Sequence, residues 1–193
     1  ASVSGLTATT GALKISGVET INLTTGGANT LALAGSSGYL MLGVTDNKQT
    51  ITGFDLASTI GLGLVGDEAA TASEIDVTAA DATGADDTLK VRVENTNGGT
   101  NSIIDVSAVE NLALDIRAAN TVTLDLSTAE VTGISITEKA GINSGAIALG
   151  TLHKNTTSLT STSDGALTAS FANQNNAVTS SAVTFSGKGT AVQ

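Results

Sequence analysis

The chain is expected to be all-β, folded as a β-solenoid (a right-handed parallel β-helix or β-roll-like stack), with a β-sandwich as the alternative. Three observations in its 193 residues point there. Short runs alternate apolar with small polar residues, these runs recur at an interval of ten, and the apolar content is almost free of aromatic rings. Strict alternation marks a half-buried strand, because successive side chains point to opposite faces.

In chain order the clearest runs are Leu13-Lys14-Ile15, Ile21-Asn22-Leu23, Leu31-Ala32-Leu33, Ile75-Asp76-Val77 and Leu89-Lys90-Val91-Arg92-Val93. Turn-forming clusters separate them: Gly26-Gly27, Gly35 to Gly38, Asn97-Gly98-Gly99, Asn143-Ser144-Gly145 and Asp164-Gly165. No helical stripe longer than two turns stands out. The best helix candidate is Asp67 to Ala82, rich in Ala and Glu, yet Ile75-Asp76-Val77-Thr78 interrupts it with a strand pattern.

Four apolar-x-apolar units follow one another ten residues apart, beginning at Ile104, Leu114, Leu124 and Ile134, and Ile21 and Leu31 show the same interval. A longer echo pairs Ile15-Ser-Gly-Val-Glu-Thr-Ile-Asn-Leu23 with Val106-Ser-Ala-Val-Glu-Asn-Leu-Ala-Leu114. A ten-residue step is too short for a βαβ crossover. It suits a solenoid with about 20 residues and two short strands per turn, or an antiparallel sandwich with turns every 8–12 residues. The absence of Pro favours the solenoid, since every strand must donate to a ladder neighbour. Small and β-branched residues, which stack well in close coils, favour it too.

Composition narrows the function. With no Cys, disulfides, thiolate metal sites and Cys nucleophiles are excluded. One His, His153 in a polar stretch, leaves little room for imidazole chemistry and reads as a surface or turn residue. Eight Lys and Arg against 18 Asp and Glu is the wrong sign for nucleic acid. No stretch approaches the ~20 apolar residues of a membrane span. Gly61-Leu-Gly-Leu-Val-Gly66 spells G-x-G-x-x-G, but acids follow it where a phosphate would be repelled, so it reads as a glycine-interrupted strand. No Ser or Thr has a recognisable base and orienting partner, and a non-catalytic role is expected.

Acids cluster between Lys48 and Lys90, where no base intervenes. Oxygen-rich clusters without Cys or His suit hard cations such as calcium. The best constellation is Asp81-Ala-Thr-Gly84-Ala-Asp86-Asp87, a glycine turn with carboxylates leading into the strand Leu89–Val93. Asp81, Gly84, Asp86 and Asp87 are therefore candidate Ca2+ ligands, and a solvated acidic loop is the alternative. Asp105, Asp115 and Asp125 are the outward-facing centres of their strand units. With two strands per turn, Asp105 and Asp125 would stack about 4.8 Å apart, a repulsion that either a bound cation or solvation relieves. Both join the candidate metal residues.

The turn at residues 81–89 resembles a degenerate copy of the RTX calcium nonapeptide, G-G-x-G-x-D-x-U-x, with Ala85 where Gly is expected. The Val-Glu-Thr-Ile-Asn-Leu and Val-Glu-Asn-Leu-Ala-Leu echoes, Asp86-Asp87-Thr88-Leu89 and the Thr/Ala/Gly texture resemble bacterial surface-layer (S-layer) proteins of the RTX-related, type I-secreted class. The chain departs from that class in lacking tandem nonapeptides and an evident C-terminal secretion segment. The resemblance implies a calcium-dependent, self-assembling lattice domain outside the cell, anchored through another region that could engage cell-surface polysaccharide. Repetitive adhesins and stalks share the texture and remain the alternative. Residues 1–193 are expected to form one β-rich assembly domain of a longer chain, with any sub-boundary in the acidic segment 66–86.

Overall fold

Burial alternates residue by residue along the strands: in Asn111–Ile116 every second side chain is buried and the others are half-exposed. The computed structural model describes residues 2–6, 12–15, 20–25, 29–33, 38–42, 48–63, 74–95, 102–142, 144–171 and 182–185. Among these, 17 strands and no helix are found. They are β1 Ser2–Leu6, β2 Ala12–Ile15, β3 Thr20–Thr25, β4 Asn29–Leu33, β5 Tyr39–Leu42 and β6 Gln49–Phe54. Next come β7 Thr59–Gly63, β8 Glu74–Ala79, β9 Thr88–Asn95, β10 Ser102–Val106, β11 Asn111–Ile116 and β12 Val122–Asp125. The last five are β13 Gly133–Glu138, β14 Ile147–Leu152, β15 Ser158–Ser161, β16 Leu167–Phe171 and β17 Ala182–Phe185.

The odd strands form one nine-stranded sheet from β1 to β17, and the even strands form a second, eight-stranded sheet from β2 to β16. Each strand pairs in parallel with the strand two places along, as β9 with β11 and β11 with β13. The fold is thus a β-solenoid and not the sandwich: each turn carries the chain across to the other sheet instead of back beside the strand it left. The helix candidate is corrected in part. Residues 74–79 are strand β8, where Ile75 and Val77 point inward, and residues 64–73 lie outside the described residues. β7, with Gly61 and Gly63 inside it, pairs with β9, so this sheet continues from one side of that segment to the other.

Inward residues stack rung on rung. Leu89, Leu112, Ile134 and Leu159 follow one another in register, as do Val91, Leu114, Ile136 and Ser161. In the other sheet Ile75 stacks on Ile104 and Val77 on Val106. Among the described residues Phe54 is the one fully buried aromatic side chain.

The ladder tolerates unequal turns. Ser2 pairs with Asn22, twenty residues on, whereas Thr59 pairs with Lys90, thirty-one on. Surplus length goes into the corners or into bulges. The register shifts at Thr52/Phe54 and Ala148/Thr151 bracket Gly53 and Gly150, whose φ values of 69° and 63° suit a bulge and disfavour other residues.

The two halves of the sequence echo begin at equivalent strand ends: Ile15 ends β2 before β3, and Val106 ends β10 before β11. Ala108, after β10, has φ 62°, and the aligned residue of the sequence echo is a glycine, Gly17. A left-handed conformation costs an L-residue about 1–2 kcal/mol, part of which the greater unfolded-state freedom of glycine cancels. Ala108→Gly is expected to raise stability by about 0.5 kcal/mol, read as a higher denaturation midpoint with unchanged slope. Leu112→Ala, at a fully buried site with ladder neighbours above and below, is expected to cost about 3 kcal/mol. Ser135→Ala, on the exposed face of the adjacent strand, should change stability by less than about 0.5 kcal/mol in the same denaturation experiment.

Candidate functional site

The acidic turn links β8 to β9, from one sheet to the other. Asp81 opens it as a local cap: its Oδ1 accepts hydrogen bonds from Thr83 Oγ1 at 2.7 Å and Thr83 N at 3.2 Å. The Thr83 hydroxyl first, and its amide second, hold the Asp81 carboxyl below the usual aspartate range. Gly84 N donates to Asp87 Oδ2 at 3.0 Å, and a Cβ at Gly84 would lie 2.8 Å from Asp87 Oδ1. The turn is tied to the next coil twice, by Asp87 N donating to Glu110 Oε2 at 2.9 Å and by Asn111 N donating to Asp87 O at 2.9 Å.

Three of the four candidate residues of this turn meet. Asp81, Gly84 and Asp87 line an open groove of about 390 Å3 together with Asp55, Leu56, Ala80 and Thr83. Asp86 is exposed and does not line it. Among the described residues no three His, Cys, Asp or Glu side chains converge as a metal-holding group.

Asp105 and Asp125 lie elsewhere, on β10 and β12 of the even-stranded sheet. The expected stacking of these two is corrected: Asp125 pairs with Ile103, whereas Asp105 pairs with Asp76 of β8. The cause is turn length. Ile103 and Asp125 are twenty-two residues apart, so the repeat overshoots twenty and the two aspartates slip by one outward position. Burial first, and the neighbouring Asp76 second, push the Asp105 carboxyl up, while Lys48 pulls it down. Lys48 is occupied by Glu74 and Asp76, at 2.9 and 3.2 Å. Asp125 caps its own turn by accepting from Ser127 N at 2.9 Å, and it lines a separate groove beside Ala148 and Gly150.

Two constellations emerge that were not singled out in the sequence. On the odd-stranded sheet the two arginines of the chain, Arg92 and Arg117, share Asp115 Oδ2, with their Nε atoms 3.4 and 2.8 Å away. The Arg92 guanidinium sits 4.9 Å from the centroid of the Tyr39 ring. The Tyr39 hydroxyl donates to Glu94 Oε1 at 2.8 Å. Burial, then the hydrogen bond and charge of Glu94, push this hydroxyl up to about 12, so it keeps its proton at neutral pH. Tyr39 lies across Gly61, where a Cβ would collide with its hydroxyl. The ring is thus enclosed between a glycine and a guanidinium.

The second constellation is a loop clamp at the end of β13. Glu138 Oε1 accepts from Ser144 N at 2.7 Å, and its Oε2 accepts from Ser163 Oγ at 2.9 Å and Asp164 N at 2.8 Å. One carboxylate thereby joins two corners nineteen residues apart. Burial pushes its carboxyl up, but the hydrogen bonds from the Ser144 and Asp164 amides and the serine hydroxyls outweigh burial and hold it below the usual glutamate range.

Compared with protein-family models, curated proteins and solved structures, the chain matches none.

The Glu138 clamp makes stability pH-dependent with a definite sign. A folded-state carboxyl below its unfolded value stabilises fully above the ordinary glutamate range, near pH ~4.3, and the effect is lost as pH falls through the folded value. Glu138→Gln is expected to cost about 1 kcal/mol at neutral pH. In urea titrations the gap between the two proteins should hold down to about pH 5 and narrow below about pH 4.

Proposed function

We propose that the chain is a structural, non-catalytic, self-assembling domain of an extracellular surface layer, of the S-layer type, with calcium joining neighbouring copies. The observation that carries the reading is the pairing of alternate strands into two parallel sheets of nine and eight. Such a stack is a stiff, quasi-one-dimensional body whose outward faces carry short side chains, and exposed strand edges readily template pairing.

Calcium takes 6–8 oxygen ligands, more than the acidic turn of one copy brings together. Asp81 Oδ1 and Asp87 Oδ2 serve the turn itself. The second oxygen of each, with Asp55 beside them and exposed Asp86 nearby, are the atoms a cation shared between two copies would take. A bridging cation also offsets the repulsion implied by a net charge of −10.

Electron microscopy of the purified protein in calcium is expected to show ordered sheets or filaments that loosen in chelator, with a melting temperature several degrees lower once calcium is removed. Absence of ordered assembly in both conditions would defeat the reading. A monomeric rod that binds on a glycan array would assign the chain instead to the adhesin stalks.

A further inference from the structure

We infer that the two outward sheet faces of the solenoid are complementary docking surfaces, through which copies of this chain stack face on face in open rows. The inference rests on the assembly reading above and specifies the surface it uses.

The described side chains divide unevenly between the faces. The odd-stranded face carries Lys90, Arg92, Arg117 and, next to Arg117 on the following coil, Lys139 against Glu94 and Asp115, a balance of +2 on a protein of −10. The even-stranded face carries Glu74, Asp76, Asp105 and Asp125 against Lys48, a balance of −3. Neither set is internally exhausted. Lys90 is exposed and makes no ion pair among the described residues, and the same holds for the half-exposed Asp105 and Asp125. Asp105 stands in register with Asp76, so two like charges adjoin along the ladder. Such a pair is destabilising in isolation; Lys48 relieves part of it through Asp76, and an opposite charge from outside relieves more.

The shape of the faces permits approach. Thr59, Ala113, Ser135 and Thr137 surround Lys90 and Arg92, and Thr123, Ala148 and Gly150 surround Asp125. These short side chains leave the charged ones as the relief. Nine strands at about 4.8 Å spacing and five residues at about 3.3 Å each make a face of roughly 38 by 17 Å. That is roughly 650 Å2, and somewhat less for the eight-stranded face, toward the low end of interface sizes whose standard is roughly 800 Å2 per partner. Because the contact joins unlike faces on opposite sides of the body, it is heterologous and propagates without closing.

The test uses sedimentation velocity in chelator, which removes calcium bridging. Wild-type protein is expected to self-associate at about 0.03 M salt, with the dissociation constant rising roughly tenfold or more by about 0.5 M as screening shortens. Lys90→Glu with Arg117→Glu makes both faces negative, and Asp105→Lys with Asp125→Lys makes both positive. Each double variant, checked for folding by circular dichroism, is expected to remain monomeric alone, and an equimolar mixture of the two to associate again. Wild-type protein that is monomeric in chelator at low salt, or association indifferent to salt, overturns the face pairing even where calcium still yields ordered sheets. Failure to assemble with calcium as well removes the assembly reading itself.

Discussion

The constraint on which the rest depends is rung-on-rung stacking: every strand must place its inward side chains on those of the strand two places earlier. Leu112 sits between Leu89 and Ile134 and is fully buried. Parallel hydrogen bonds and apolar burial thus share one register, and a slip of one residue would turn the whole apolar set outward. Ala, Val, Ile and Leu meet this requirement where bulky rings would not, and the absence of Pro keeps each amide available to the ladder.

Stacking also accounts for much of the hydroxyl-rich composition. Thr156 Oγ1, buried at a corner, donates to Val131 O at 3.0 Å, one coil back. Thr132 does the same to Glu110 O at 3.0 Å, and Thr137 to Leu114 O at 3.3 Å. Ser58 Oγ accepts from Gly38 N at 2.7 Å across a coil. Each bond is modest by itself, about 1 kcal/mol, but each ties one coil to the backbone of its neighbour. Glu138 performs this task with charge, and Glu110 does so for the acidic turn.

Outward positions are released from this demand, so charge is free to accumulate there. That freedom is used asymmetrically. The two arginines and Tyr39 collect on the odd-stranded face, and Asp105 and Asp125, without an ion pair among the described residues, lie on the even-stranded one. Function in a molecule of this kind belongs to faces and edges more than to pockets, which fits the shallow form of the acidic groove.

Much of this was legible before any coordinates. Alternation located strands at Leu13–Ile15, Ile21–Leu23, Leu31–Leu33, Ile75–Val77 and Leu89–Val93, and the ten-residue interval pointed to the solenoid. The Asp81–Asp87 turn was visible as a glycine between carboxylates, because its geometry is local. Glu138 carried no such signal: its partners Ser144 and Ser163 are brought to it by coiling. Arg92 was readable as outward from its alternating run, but not as a neighbour of Arg117 around one carboxylate.

The division follows from range. Which way each side chain points is decided by alternation with period two, and the sequence by itself determined that, along with the exclusion of thiol chemistry and the acidic balance. Which rung lies on which was decided only by the tertiary structure, because the turns differ in length: twenty residues from Ser2 to Asn22, thirty-one from Thr59 to Lys90. The twenty-two-residue step from Ile103 to Asp125 set Asp125 beside Ile103 and not beside Asp105, and coiling gathered the arginines around Asp115. Stacking energy belongs to pairs of coils, and no single stretch of chain contains it.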